Sequence, residues 1–95
     1  MQKVSMYCTA VCPYCVLAER LLRARGVTEI EKMRVDLQPE LLSQMLTATR
    51  GRTVPQIYIG TRLVGTYDNL VMLERSGELS QLLDGQYQGE GQGNE

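Results

Sequence analysis

The sequence predicts one α/β domain built on a single sheet, with its elements in the order β-α-β-α-β-β-α. Three observations carry that prediction. Stretches of period-two apolar alternation take turns with stretches in which apolar residues recur every three or four positions. Gly and Pro punctuate the joins between them. The 95 residues suffice for one domain and are too few for two, so a small core must be shared by one sheet and the helices that cover it.

Each element follows from its own residues. Val4, Met6 and Cys8 alternate with Ser5 and Tyr7, which suits a half-buried strand over residues 3–8. A loop over 9–11 leads into Cys12-Pro13-Tyr14-Cys15, where Pro13 suits a first helical position because the amide it lacks would have no intrahelical partner there. Along that helix Leu17, Ala18, Leu21, Leu22 and Ala24 fall on one side and Glu19, Arg20 and Arg23 on the other. Its first turn is expected to hold both cysteines, and Gly26 supplies the stop. A second strand, polar enough for a sheet edge, is expected over 31–35. Asp36-Leu37-Gln38-Pro39 signals the start of a helix, with Leu41, Leu42, Met45 and Leu46 as its buried stripe.

After Pro55, Gln56-Ile57-Tyr58-Ile59 is a β-favouring run. Gly60-Thr61 makes a tight turn, and Arg62-Leu63-Val64 returns antiparallel until Gly65 closes it. Asp68 is the expected cap of a third helix bearing Leu70, Val71 and Leu73, which Gly77 interrupts before a last turn around Leu79, Leu82 and Leu83. Residues 1–84 make the domain. Over 85–95 Gly and Gln dominate with almost nothing to bury, so a disordered tail is expected there.

Charge and composition exclude several classes. Lys and Arg number 10 against 11 Asp and Glu, a net charge of -1, so neither nucleic acid nor an acidic solvating tail is indicated. No stretch approaches a membrane span, and no signal segment precedes the first strand. The expected compartment is the cytoplasm, where a CxxC pair is catalytic or metal-binding rather than a permanent staple. Histidine is absent, which removes the usual near-neutral acid or base and leaves sulfur or carboxylates to do any chemistry.

Cys12 and Cys15 are the centre of that chemistry. Unpaired amides and the dipole at a helix start stabilise a thiolate, so the earlier cysteine is expected to have a lowered pKa. The two-residue spacing sets Cys15 one turn on, on the same side. Cys12 is therefore read as the attacking sulfur and Cys15 as the thiol that resolves the mixed disulfide. Structural zinc wants four ligands and the chain has three sulfurs, so no metal site is expected within one chain. A cluster shared by two chains stays open as an alternative. Tyr14 either covers the helix start or packs a ligand with its ring. Cys8, at the end of the first strand, is either a core residue or a third redox-active thiol.

Three landmarks carry a resemblance: Cys12-Pro13-Tyr14-Cys15, Thr53-Val54-Pro55 before the third strand, and Gly65-Thr66-Tyr67-Asp68 before the third helix. From Val4 to Leu83 the chain resembles the glutaredoxins, specifically the small bacterial dithiol kind. The resemblance implies a thioredoxin-like fold, a four-stranded mixed sheet with helices on both faces. It implies reduction of protein-glutathione mixed disulfides and some protein disulfides, with glutathione as co-substrate and no tightly bound cofactor.

By the same resemblance Cys12 is the nucleophile and Cys15 the resolving thiol. Val54 pairs antiparallel with the cysteinyl unit of glutathione, Pro55 is a cis proline, and Thr53 supports that loop. Asp68 receives the γ-glutamyl end, and Tyr67 lines the same wall. Disulfide-bearing proteins, ribonucleotide reductase among them, are the implied clients of a monomeric shuttle.

The pattern is departed from at Thr9, where many relatives carry a lysine, and at Thr66-Tyr67, which replace smaller residues. Arg50 and Arg52 are candidates for the missing cation, or else solvated loop residues. A cluster-binding module using Cys12 and glutathione, and a thioredoxin reset by a flavoprotein reductase, are the competing functions.

Overall fold

The structure is a computed structural model, in which residues 1–85 are described. The expected tail lies outside the described residues save for Gly85. Four strands, β1 (Val4–Cys8), β2 (Ile30–Arg34), β3 (Gln56–Ile59) and β4 (Arg62–Gly65), and four helices, α1 (Pro13–Ala24), α2 (Pro39–Thr49), α3 (Tyr67–Ser76) and α4 (Glu78–Leu83), follow one another as β1-α1-β2-α2-β3-β4-α3-α4 among the described residues. The sheet order is β2-β1-β3-β4. β1 runs parallel to β2 and antiparallel to β3, and β3 is antiparallel to β4. The mixed sheet agrees with what the family resemblance implies, and the edge position of β2 with its polar composition.

Alternation along the two central strands decides what each face buries. Val4, Met6 and Cys8 of β1 and Ile57 and Ile59 of β3 point to one face, where they meet Cys15, Ala18 and Leu22 of α1, Leu70 of α3, and Leu79, Leu82 and Leu83 of α4. Tyr7 and Tyr58, one position out of phase, point to the other face and meet Val35 and Met45 of α2. Tyr7 and Tyr58 stack edge to face at 6.2 Å, the arrangement that ring quadrupoles favour.

Two helices bury a narrower stripe than their sequence spacing suggests. In α1 only Cys15, Ala18 and Leu22 are buried, while Leu17 is exposed. In α2 only Met45 is, while Leu42 and Leu46 are each 40% exposed. A single-layer helix packed on a small sheet covers one line of i, i+3, i+7 contacts, and neighbours half a turn away look outward.

The third helix is capped two residues earlier than expected. Its cap is Thr66, not Asp68. The Asn69 amide donates to Thr66 Oγ1 at 3.4 Å and the Thr66 amide donates to Asn69 Oδ1 at 3.0 Å, a reciprocal capping box. Gly65 has to be glycine for this: its φ is +108°, and a Cβ there would sit 2.5 Å from Asn69 Oδ1. Gly77, with φ +83°, ends α3 in the left-handed region as the sequence suggests.

Candidate redox site at the start of the first helix

Cys12 is the N-cap of α1 rather than a residue of its first turn. Its extended backbone, φ -147° and ψ 96°, turns the side chain back over the helix end, where Sγ accepts the Cys15 amide at 3.1 Å. Sulfur thus takes the place that a Ser or Asp oxygen fills at an ordinary cap. No acidic side chain lies in the first turn of α1 to oppose negative charge there. Cys12 and Cys15 are joined in a disulfide with their Cα atoms 5.2 Å apart, within the span such a bond requires. Cys15 is 7% exposed and packs in the core, whereas Cys12 is only partly covered. One sulfur of the pair faces incoming molecules and the other waits behind it.

Cys8 lies 3% exposed in the core beneath them. Burial pushes its thiol pKa up, and Lys32 and Arg34 only partly offset that, so the core position is the one the structure supports. Cys8, Thr9, Cys12, Cys15, Glu19 and Lys32 share a small cavity behind the pair. Lys32 brings an ammonium to this cavity, where it is paired with Glu19 at 2.8 Å. The loop before Cys12 is held by Asp36, whose Oδ2 accepts the Ala10 amide at 3.2 Å while both its oxygens take Arg34 at 2.7 Å. Asp36 therefore ties the active loop to β2. The helix that the Asp36-Leu37-Gln38-Pro39 run signals begins at Pro39, with Gln38 as its cap and no side-chain bond there.

In front of the pair lies a groove of about 180 Å³ lined by Tyr14, Thr53, Val54, Pro55, Thr66, Tyr67 and Asp68. Six of these seven are the ligand-facing residues expected from sequence, and Thr66 is the addition. The Val54-Pro55 bond is cis, and the Val54 carbonyl oxygen is 3.6 Å from Cys12 Sγ. Tyr14, 58% exposed, faces Tyr67 with ring centroids 6.0 Å apart. Since the capping box engages Thr66 and Asn69, the amides of Tyr67 and Asp68 have no partner among the described residues. They face a groove as free donors at the positive end of a helix. Arg50 and Arg52 do not line it; they line a separate groove with Leu42 and Leu46.

Comparison with known proteins agrees with this geometry. The profile of the glutaredoxin family matches residues 4–64. A glutaredoxin of Neisseria meningitidis serogroup A is 45% identical over 84 residues, covering 88% of this chain and 99% of the relative. The chain belongs to the glutaredoxin family. Among solved structures, a glutaredoxin from Brucella melitensis is 38% identical with a TM-score of 0.76, covering 87% of this chain and 89% of its own. A dithiolic glutaredoxin from Trypanosoma brucei brucei is 35% identical with the same TM-score, covering 86% and 87%. The fold is accordingly thioredoxin-like, and the CxxC pair marks a thiol-disulfide oxidoreductase of the glutaredoxin type. Among the described residues no helix is long and apolar enough to cross a membrane, and no group of His, Cys, Asp and Glu is placed to hold a metal ion.

The sequence names Thr66 and Asp36 without their roles here, Thr66 as the cap of α3 and Asp36 as the tie to the 9–11 loop. Thr66-x-x-Asn69 was available as a cap signal, but Asn stands where the usual box carries Glu or Gln. Asp36 gave no signal, because its partner amide is on Ala10, 26 residues earlier.

Proposed function

We propose that the protein is a glutathione-dependent oxidoreductase that reduces protein-glutathione mixed disulfides and protein disulfides through the Cys12-Cys15 couple. The observation that supports this best is the meeting of one accessible redox sulfur, a bent backbone edge at Val54 and two free amides at Tyr67 and Asp68 around a single groove. Glutathione presents matching groups: a sulfur, a peptide backbone beside it, and a carboxylate at the γ-glutamyl end. In this reading Val54 pairs with the cysteinyl backbone, the α3 amides take the γ-glutamyl carboxylate, Tyr14 and Tyr67 flank the tripeptide, and Thr53 and Pro55 shape the floor.

The chemistry balances without a bound cofactor. The Cys12 thiolate attacks the glutathione sulfur of a mixed disulfide; the new Cys12-glutathione bond forms as the old bond breaks, and the client leaves as a thiolate that takes a proton from water. A second glutathione thiolate then attacks the glutathione sulfur, releasing oxidised glutathione and Cys12. On protein disulfides, the Cys12 thiolate bonds to one client sulfur as the other leaves as a thiolate that takes a proton; the Cys15 thiol then loses its proton, attacks Cys12 Sγ and expels the remaining client sulfur. Two glutathione thiols return the resulting disulfide to two thiols. In this reading the reaction runs in the cytoplasm, with the protein working as a monomer and without a resident metal.

The deciding measurement is turnover of a small glutathione mixed disulfide with glutathione as reductant. Cys12→Ser should lose it, and mass spectrometry of Cys15→Ser should find the glutathione adduct on Cys12. An adduct found only on Cys8, or reduction that runs only with a flavoprotein reductase, would overturn the assignment. A brown protein with iron and sulfide absorption and no turnover would move it to the cluster-binding class.

A further inference from the structure

The 50–55 run walls two concavities. Thr53, Val54 and Pro55 face the redox groove, while Arg50 and Arg52 join Leu42 and Leu46 around a wider groove of about 610 Å³. Both leucines are 40% exposed, and no carboxylate lines the groove. Among the described residues neither arginine is ion-paired, although the chain as a whole carries a net charge of -1. Two unpaired guanidinium groups beside half-exposed leucines complement a segment that is both acidic and apolar.

Chain direction says which part of a substrate arrives there. A reacting cysteine at Cys12 lies against Val54, whose carbonyl is 3.6 Å from Cys12 Sγ. If it pairs antiparallel with Val54, its following residues run back past Thr53 toward Arg52. Two residues of chain span about 7 Å, so the arginines meet the substrate two or three positions after the cysteine.

We propose that this second groove seats the stretch of a client polypeptide on the C-terminal side of its reacting cysteine. An acidic side chain two or three positions on meets Arg50 and Arg52, and an apolar one beyond it rests on Leu42 and Leu46. This rests on the redox reading above and adds a client preference to the steps in which Cys12 bonds to the client's own sulfur. Glutathione alone ends too early to reach the leucines.

The test uses peptides whose single cysteine is joined to cysteamine in a disulfide, so that the peptide and not glutathione takes the Val54 edge. One carries Asp at the second and third positions after the cysteine followed by Leu, one carries Lys at those positions, and one carries the same acids before the cysteine. For the first peptide kcat/KM should exceed that for the lysine peptide by about five-fold at low ionic strength, the factor that about 1 kcal/mol of surface charge pairing supplies. The gap should narrow in high salt, and acids placed before the cysteine should give no advantage.

Leu46→Glu should bring the acidic peptide down toward the lysine peptide while leaving turnover of the glutathione-cysteamine disulfide unchanged. Equal rates for all three peptides, with that small disulfide still turned over, would overturn the docking site and leave the redox reading standing. Loss of turnover on every substrate, the small disulfide included, would overturn both. A dimer of the unmodified protein that Leu46→Glu dissociates would assign the groove to a second copy instead, and would also overturn the proposal.

Discussion

On one face of the sheet, Val4, Met6, Ile57 and Ile59 are sealed by α1, α3 and α4, and Leu22, Leu70, Leu79 and Leu83 are at most 1% exposed. On the other face a single helix, α2, sets only Met45 firmly against Tyr7 and Val35 and leaves Leu42 and Leu46 facing water. The difference separates two duties. The sealed face holds Cys15, and through it the start of α1, in a fixed place behind Cys12. The thinly covered face leads into the 50–55 run that walls both grooves, where packing density matters less than what the surface offers.

The contrast is most directly broken by truncating one core residue on each face. Leu22→Ala and Met45→Ala should both destabilise within the range of about 2–5 kcal/mol typical of buried large-to-small changes. Leu22→Ala should fall at the upper end and Met45→Ala at the lower, because α2 can settle onto the smaller side chain. Denaturant unfolding midpoints measure both, and equal losses would erase the distinction between the faces.

A smaller effect is expected where the sealed face meets the groove. Thr66→Ala removes the cap of α3 and should cost about 1 kcal/mol. Because the capping box also holds the Tyr67 and Asp68 amides in line, this variant should weaken glutathione binding as well, raising KM for the small mixed disulfide more than it lowers kcat.

The smallest effect is at the edge of the sheet. Hydrogen bonds from Arg34, helped by the Ala10 amide, lower the Asp36 pKa from 3.8 to about 2. A carboxyl depressed on folding contributes stability above its unfolded value and loses it as pH falls through its folded value. Asp36→Asn should therefore be slightly less stable than the unmodified protein at neutral pH, and the gap should close between about pH 4 and pH 2. A gap that persists unchanged at pH 2 would place the effect in packing instead of charge. The 9–11 loop should also exchange its Ala10 amide faster in that variant.

The elements that sequence reading placed well are those whose signal is local. β3 was bounded by Pro55 and Gly60, the start of α1 by Pro13, and the end of α3 by Gly77, each through a backbone property of one residue. The misreadings share a different cause. Leu17, Leu42 and Leu46 have the spacing of buried residues, and only the number of layers around a helix decides how wide a stripe is covered. Asp68 and Thr66 are both good caps two positions apart; the turn at Gly65 and the reach of Asn69 chose between them. For the site, Cys12 and Cys15 were legible from their spacing alone. Tyr14, Thr53, Val54, Pro55, Tyr67 and Asp68 were legible only as a family pattern, since nothing in their local order says that three separate segments converge.

By itself the sequence determined that two sulfurs would stand one helical turn apart at a strand-to-helix junction, because proline position, helix period and alternation all act over a few residues. Tertiary structure decided which of the two is accessible, that the start of α3 and the 53–55 run share a groove beside Cys12, and that Arg50 and Arg52 line a different one. Those outcomes depend on how segments some 40 or more positions apart along the chain lie against one another, and side-chain periodicity carries no information about that.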